Sequence, residues 1–279
     1  MAMQYVYWPF TKDKTEHHQD FWHAYESDGK HTYLSLDPTI SWHSGDDSVR
    51  GEPVEVMPGA PLAVAASQLL IICAHGARGS FQLVPTETGS TGLSVENLAT
   101  QLILDGLSET QTHIKLHVCY SGMKPPQAEG AENDSFARRL ANVLNPQSEL
   151  LKKLDRDVAP WLKAKLSGTL KRKDEISMSL ADPSQQRFKM LPPNRLARIN
   201  QFGGCPGLFV RGYAGEVSAS ANSQEALEDG HLARRQVYES DGKTVISNRK
   251  DRGAWFSSAQ HGLPDADHKV PAALKGRNE

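Results

Sequence analysis

Two apolar runs end on side chains with reactive chemistry. Leu69-Leu70-Ile71-Ile72-Cys73-Ala74 leads into His75-Gly76, and Ile114-Lys115-Leu116-His117-Val118 leads into Cys119, followed by Tyr120-Ser121-Gly122. A thiol is a good nucleophile only as the thiolate, and a histidine beside it can take the proton or hold it as imidazolium. Acyl transfer by such a pair also needs N–H donors where the oxyanion of a tetrahedral intermediate develops. Gly76 directly follows the histidine and lets the backbone approach closely. The N–H of Cys119 is a natural second donor. Ser121 and Gly122 are small and are expected to keep the approach to the sulfur open. The residue types therefore point to a thioester mechanism, with Cys119 as nucleophile, His75 as base, and Gly76 and Cys119 lining the oxyanion hole.

A bland reading competes with this one, because a lone cysteine at a strand end is more often core than catalyst. Cys73, inside an apolar run, and Cys205, in the turn Gly203-Gly204-Cys205-Pro206, fit the bland reading. His117 is the rival base, but it lies inside its strand and is expected to face packing or a partner. Three cysteines without CxxC spacing argue against a disulfide framework or a structural zinc site and suit a reducing compartment. His17, His18 and His23 have no cysteine or carboxylate at ligand spacing, so they read as loop histidines and no metal is expected.

The elements that must position the pair are legible. Leu69 to Ala74 is apolar without alternation, as in a parallel strand buried on both faces. Ser94 is a good N-cap with Glu96 in the first turn. Val95, Leu98, Ala99, Leu102, Ile103 and Leu107 then form one apolar stripe at helical spacing. Ile114, Leu116 and Val118 alternate with Lys115 and His117, which gives a second strand. Strand, helix, strand is a βαβ unit with parallel strands and a right-handed crossover. His75 and Cys119 would then share the carboxyl edge, where open α/β sheets bind ligands.

Downstream, a helix is expected from Ser135, carrying Phe136, Leu140, Val143 and Leu144. Another spans Ser148 to Leu166, with Pro160 expected to kink it. Gly207 to Tyr213 reads as a strand, and Asp28-Gly29 and Asp241-Gly242 read as hairpin turns. The whole is α/β: an open, mostly parallel sheet flanked by helices, with a C-terminal β-hairpin. Residues 1–60 are expected as a β/loop segment packed on the core. The stretch 61–256 is expected as the catalytic domain, with a basic insertion at 146–206, and 257–279 as a flexible tail.

Composition narrows the class. The net charge of −2 gives no overall bias toward nucleic acid or membrane, and 38% apolar residues at a mean hydropathy of −0.51 suffice for one core with polar loops. Residues 1–100 hold twelve acids against five bases, whereas 152–198 hold twelve bases against five acids. No stretch reaches the roughly 18 apolar residues of a membrane span, and the start lacks a signal peptide of the common type. The expected locations are the cytoplasm of the producer, or secretion by another route into a host or target cell cytosol.

The order His-Gly, helix, Cys-x-x-Gly resembles the caspase-like (clan CD) cysteine peptidases. Within them it is most similar to the self-cleaving cysteine protease domains of large bacterial toxins. The likeness spans Gln68 to Phe256 and includes Leu93-Ser94-Val95-Glu96-Asn97-Leu98-Ala99, Gly207–Tyr213 and Arg252-Gly253-Ala254-Trp255-Phe256. It implies a caspase-like fold, His75 as base, Cys119 as nucleophile and Gly76 in the oxyanion hole. It further implies an N-terminal acid orienting the histidine, for which Asp37, Asp46 and Asp47 are the candidates. No cofactor is required, but an inositol phosphate activator is implied, for which Arg234, Arg235, Lys243, Arg249, Lys250 and Arg252, or Lys171-Arg172-Lys173, would form the anion-binding patch. The expected partner is a protein substrate, and the expected role a bacterial effector or toxin-type endopeptidase cleaving that substrate or itself. Two alternatives stand beside it: a thiol-dependent acyl transferase or deamidase on the same pair, and a non-catalytic caspase-like scaffold binding through the basic region.

Overall fold

A computed structural model describes residues 5–16, 18–19, 22, 54–62, 64, 69–77, 80–87, 92–123, 135–167, 191–219, 235–238, 244 and 253–257. Its strands are β1 (Tyr5–Tyr7), β2 (Val54–Val56), β3 (Leu69–Cys73), β4 (Gln82–Leu83), β5 (Leu93–Ser94), β6 (His113–His117), β7 (Phe209–Tyr213), β8 (Glu216–Ala219), β9 (Arg235–Tyr238) and β10 (Gly253–Ser257). The helices are α1 (Val95–Asp105), α2 (Phe136–Val143), α3 (Glu149–Leu166) and α4 (Pro193–Gln201).

Six strands form one sheet in the order β10-β7-β6-β3-β1-β2, parallel except for β10, which runs antiparallel to β7. The predicted βαβ unit is its centre. β3 pairs with β6 from Leu69↔His113 to Cys73↔His117, and α1 connects them. The Ser94 hydroxyl accepts from the Asn97 N–H at 3.2 Å, as its N-cap position requires. Gly106, at φ 104°, ends α1. Its N–H reaches Ile103 O, and Leu107 N reaches Leu102 O at 2.9 Å, the Schellman arrangement that satisfies the last carbonyls.

Helices line one face of the sheet. Leu70, Ile72, Ile114, Leu116, Val118 and Val210 pack there with Val95, Leu98, Leu102, Leu140, Val158, Trp161 and Leu196 in a single buried cluster. On the other face Val6, Trp8, Ile71 and Cys73 form a smaller cluster. β3 is thus buried on both sides, as its unbroken apolar run predicts.

The structure departs from the sequence reading in several places. The N-terminal segment is not merely packed on the sheet, because β1 lies inside it, between β3 and β2. The same segment also supplies β2, the edge strand beside β1. The expected insertion at 146–206 holds α3 and α4, and both add side chains to the main core. Pro160 sits within α3, which runs through it to Leu166. β9, the first arm of the expected C-terminal hairpin, pairs with β8 from Glu216↔Tyr238 to Ala219↔Arg235. The Asp241-Gly242 turn, the other arm apart from Thr244, and the Asp28-Gly29 hairpin lie outside the described residues. Among the described residues no helix is long and apolar enough to cross a membrane.

A buried polar cluster locks the last residue of β1 to the end of α1. The Asp105 side chain is fully buried; it accepts from the Tyr7 hydroxyl at 2.7 Å and from the Gly59 N–H at 3.1 Å, and it pairs with Arg195. A carboxylate at a helix C-terminus meets the negative end of the dipole, and α1 has no base in its own last turn. α4 supplies the compensation: Arg195 and Arg198 both donate to Leu104 O, at 3.3 and 2.9 Å. Burial first, and then the Asp105 charge, push the Tyr7 hydroxyl far above its ordinary range, so it remains a donor.

Candidate active site

The last paired residues of β3 and β6 are Cys73 and His117. Two positions further on each chain stand His75 and Cys119, so the parallel register carries both to one edge. Gly76 makes the approach close. A Cβ placed on it would lie 2.6 Å from Cys119 O and 2.5 Å from Val118 Cγ1, both impossible contacts. Glycine is therefore required there by space rather than by backbone dihedral.

His75 is fixed on two sides. Its backbone exchanges hydrogen bonds with Val84, N to O at 3.1 Å and O to N at 3.0 Å. Its ring Nε2 lies 3.3 Å from Glu16 O. A carbonyl can only accept, so Nε2 is the donor in this contact. Glu16 is itself anchored, its N–H donating to Pro85 O at 2.9 Å and its carboxylate accepting from the Glu87 N–H at 2.9 Å. The orienting group is thus a backbone carbonyl of the N-terminal segment. Asp37, Asp46 and Asp47, the acids anticipated for that role, lie outside the described residues.

Cys119 occupies a tight turn. Tyr120, directly after it, has φ 57°, in the left-handed region that a non-glycine residue seldom adopts. The turn is fastened to β7 and β8. Tyr120 N donates to Gly215 O at 2.9 Å, Gly122 N to Tyr213 O at 2.8 Å, and Tyr213 N to Ser121 Oγ at 3.1 Å. Ser121 Oγ donates in turn to Val118 O at 2.8 Å. Ser121 is buried, and a Cβ on Gly122 would lie 2.6 Å from the Gly212 backbone. The small residues after the cysteine therefore serve close packing against β7, not the open approach expected of them.

The half-buried sulfur sits against Tyr213 and Val217. The Val217 N–H points at Sγ from 3.3 Å, and Val217 O lies 3.8 Å away. One residue thus offers a donor to the thiolate and an acceptor to the thiol. Burial raises the Cys119 thiol above its ordinary value; the Val217 N–H opposes this, while Glu216 and Glu87 add to it. A thiol raised in this way suits a base that removes the proton during attack rather than a standing thiolate–imidazolium pair.

No protein family and no curated protein matches the chain. The remaining candidates are placed by their own surroundings. His117 is the last residue of β6 and is buried against the Tyr213 ring, with centroids 5.6 Å apart. Cys73 is buried beside Trp8 on the other face. Cys205 is buried, donates to Ser108 O at 3.3 Å, and its thiol is pushed up to about 12, mainly by burial. His18 is buried, with Nε2 2.7 Å from Glu55 Oε1, and packs on Trp8; His17 and His23 lie outside the described residues. Of the anion-binding candidates, the backbone of Arg235 is in β9; Arg234, Lys243, Arg249, Lys250, Arg252 and Lys171-Arg172-Lys173 lie outside the described residues.

These surroundings predict selective thiol chemistry. Iodoacetamide near neutral pH should modify Cys119 alone in the folded protein, and all three cysteines in denaturant. Because the Cys119 thiol is raised, its rate should keep climbing with pH beyond the range of a free thiol. Peptide mapping by mass spectrometry checks both points, and early labelling of Cys73 or Cys205 would contradict them.

Proposed function

We propose that the chain is a caspase-like cysteine endopeptidase of effector or toxin type with a Cys119–His75 dyad. The observation that carries this reading is the contact of Gly76 with the Cys119 backbone, which leaves no room for a Cβ between the ends of β3 and β6. The oriented histidine supports it: with Nε2 placed on Glu16 O, Nδ1 is the proposed proton acceptor.

In the proposed reaction Sγ of Cys119 attacks the scissile carbonyl carbon while its proton passes to His75 Nδ1. The N–H groups of Gly76 and Cys119 are the proposed donors to the resulting oxyanion. Collapse of the intermediate breaks the C–N bond, and the imidazolium returns its proton to the departing amine. The thioester left on Cys119 is then hydrolysed by water, again with His75 as base. The raised resting thiol fits this sequence, since the proton leaves the sulfur only as the new bond forms.

Host-type protein extracts incubated with the purified chain should yield new N-termini that are absent with Cys119→Ala, in the presence or absence of inositol hexakisphosphate. Modified but uncut proteins, carrying the mass change of amide-to-acid conversion, would instead favour a deamidase on the same residues.

A further inference from the structure

The dyad chemistry needs neither a tyrosine after the nucleophile nor a carboxylate on the neighbouring strand, yet the structure joins the two. The Tyr120 hydroxyl donates to Glu216 Oε1 at 3.0 Å. The next residue of β8 is Val217, whose N–H points at Sγ from 3.3 Å. The residue preceding Glu216 is Gly215, whose carbonyl holds the Tyr120 N–H at 2.9 Å. Three successive residues of one segment therefore grip the residue pair Cys119-Tyr120, alternately through backbone and side chain. Tyr120 holds its left-handed φ of 57° within this grip. A conformation of that kind persists only where its surroundings over-determine it.

We infer that Tyr120 and Glu216 are positioning residues for Cys119: their hydrogen bond seats β8 on the turn after the nucleophile, so that the Val217 N–H meets the sulfur as the thiolate forms. The inference rests on Cys119 acting as the nucleophile. A hydrogen bond to an ionised sulfur is stronger than one to a neutral thiol, so the Val217 N–H favours the reactive form.

The pair also has an electrostatic side of opposite sign. The charged groups acting on the thiol are Glu216 from β8 and Glu87 from the segment after β4; both disfavour the thiolate. Among the described residues, the other titratable groups of this edge are His75 at the end of β3, the Tyr120 hydroxyl and Tyr213 of β7, against which the sulfur packs. Glu216 thus helps through its hydrogen bond and hinders through its charge. The hydroxyl of Tyr120 can be removed without touching the charge, and the charge of Glu216 can be removed without losing an acceptor for that hydroxyl.

The test is the rate of iodoacetamide alkylation at Cys119 against pH, read by mass spectrometry, in the full chain and in Tyr120→Phe, Glu216→Gln and His75→Ala. Tyr120→Phe should slow alkylation near neutral pH on the order of tenfold and move its profile to higher pH, as expected for loss of a donor to a charged group. Glu216→Gln keeps the acceptor and should speed alkylation several-fold, moving the profile to lower pH. A merely structural pair would give two variants with lower melting temperatures and superimposable profiles. Superimposable profiles, or slowing in both variants, overturn the inference. His75→Ala separates the two levels: an unchanged Cys119 rate in that variant removes the dyad reading, whereas opposite shifts in the other two speak to the positioning pair alone.

Discussion

Gly76→Ala should reduce labelling of Cys119 by a peptidyl chloromethyl ketone on the order of 100-fold while leaving the chain folded. The added Cβ has nowhere to go. Its nearest neighbours would be Val118 Cγ1 at 2.5 Å and Cys119 O at 2.6 Å, of which the second is backbone and cannot rotate away. The ends of β3 and β6 must then part by roughly 1 Å, and misplacement on that scale is enough to cost two orders of magnitude in an oriented reaction. Stability should suffer less, because the paired register from Leu69↔His113 to Cys73↔His117 ends before the glycine. The melting temperature and the labelling rate, measured on the same preparation, separate these effects. A variant that labels at the wild-type rate would mean that the two strand ends do not meet as described.

Asp105→Ala should act in the opposite way, costing stability and sparing the site. The carboxylate is fully buried and serves three donors at once: the Tyr7 hydroxyl, the Gly59 N–H and the Arg195 guanidinium of α4. Removing it leaves Tyr7 and Gly59 without an acceptor and Arg195 without its counter-charge. Breaking a buried ion pair costs about 3–5 kcal/mol, and Arg195 keeps some access to water, so about 3 kcal/mol is expected. Asp105→Asn retains acceptors for Tyr7 and Gly59 and should lose less. Chemical denaturation gives both values. The cluster lies at the end of α1 and, among the described residues, shares no hydrogen bond with Cys119 or His75, so alkylation of the folded fraction should be unchanged.

The βαβ unit was legible because each of its signals is local. The stripe from Val95 to Leu107, the cap at Ser94 and the glycine at 106 follow from a helix period and from terminal hydrogen bonding, and the structure places each of them so. That the segments carrying His75 and Cys119 leave the sheet at one edge followed from parallelism alone. What escaped is non-local or carried by backbone atoms. Tyr5 to Trp8 is β-prone and β1 forms there, but β2 is only three residues long, too short for a periodic signal, and the places of both in the sheet are decided by partners distant in sequence. The Glu16 carbonyl that orients His75 leaves no mark on residue type, since every residue has one. Gly122 looked like a small residue beside an active sulfur, whereas its smallness is demanded by Gly212 across the turn. α4 has only Leu196 and Ile199 fully inside the core, and its arginines, which cap α1, look in sequence like surface charge.

The account turns on whether His75 serves Cys119. The most direct measurement is the second-order rate of iodoacetamide alkylation at Cys119 near neutral pH in the wild type and in His75→Ala, with the modified residue identified by peptide mapping. A base that removes the thiol proton contributes on the order of 100-fold or more, so the variant should fall by at least that factor. Equal rates in the two proteins, or modification that falls on Cys73 or Cys205 instead, would contradict the dyad.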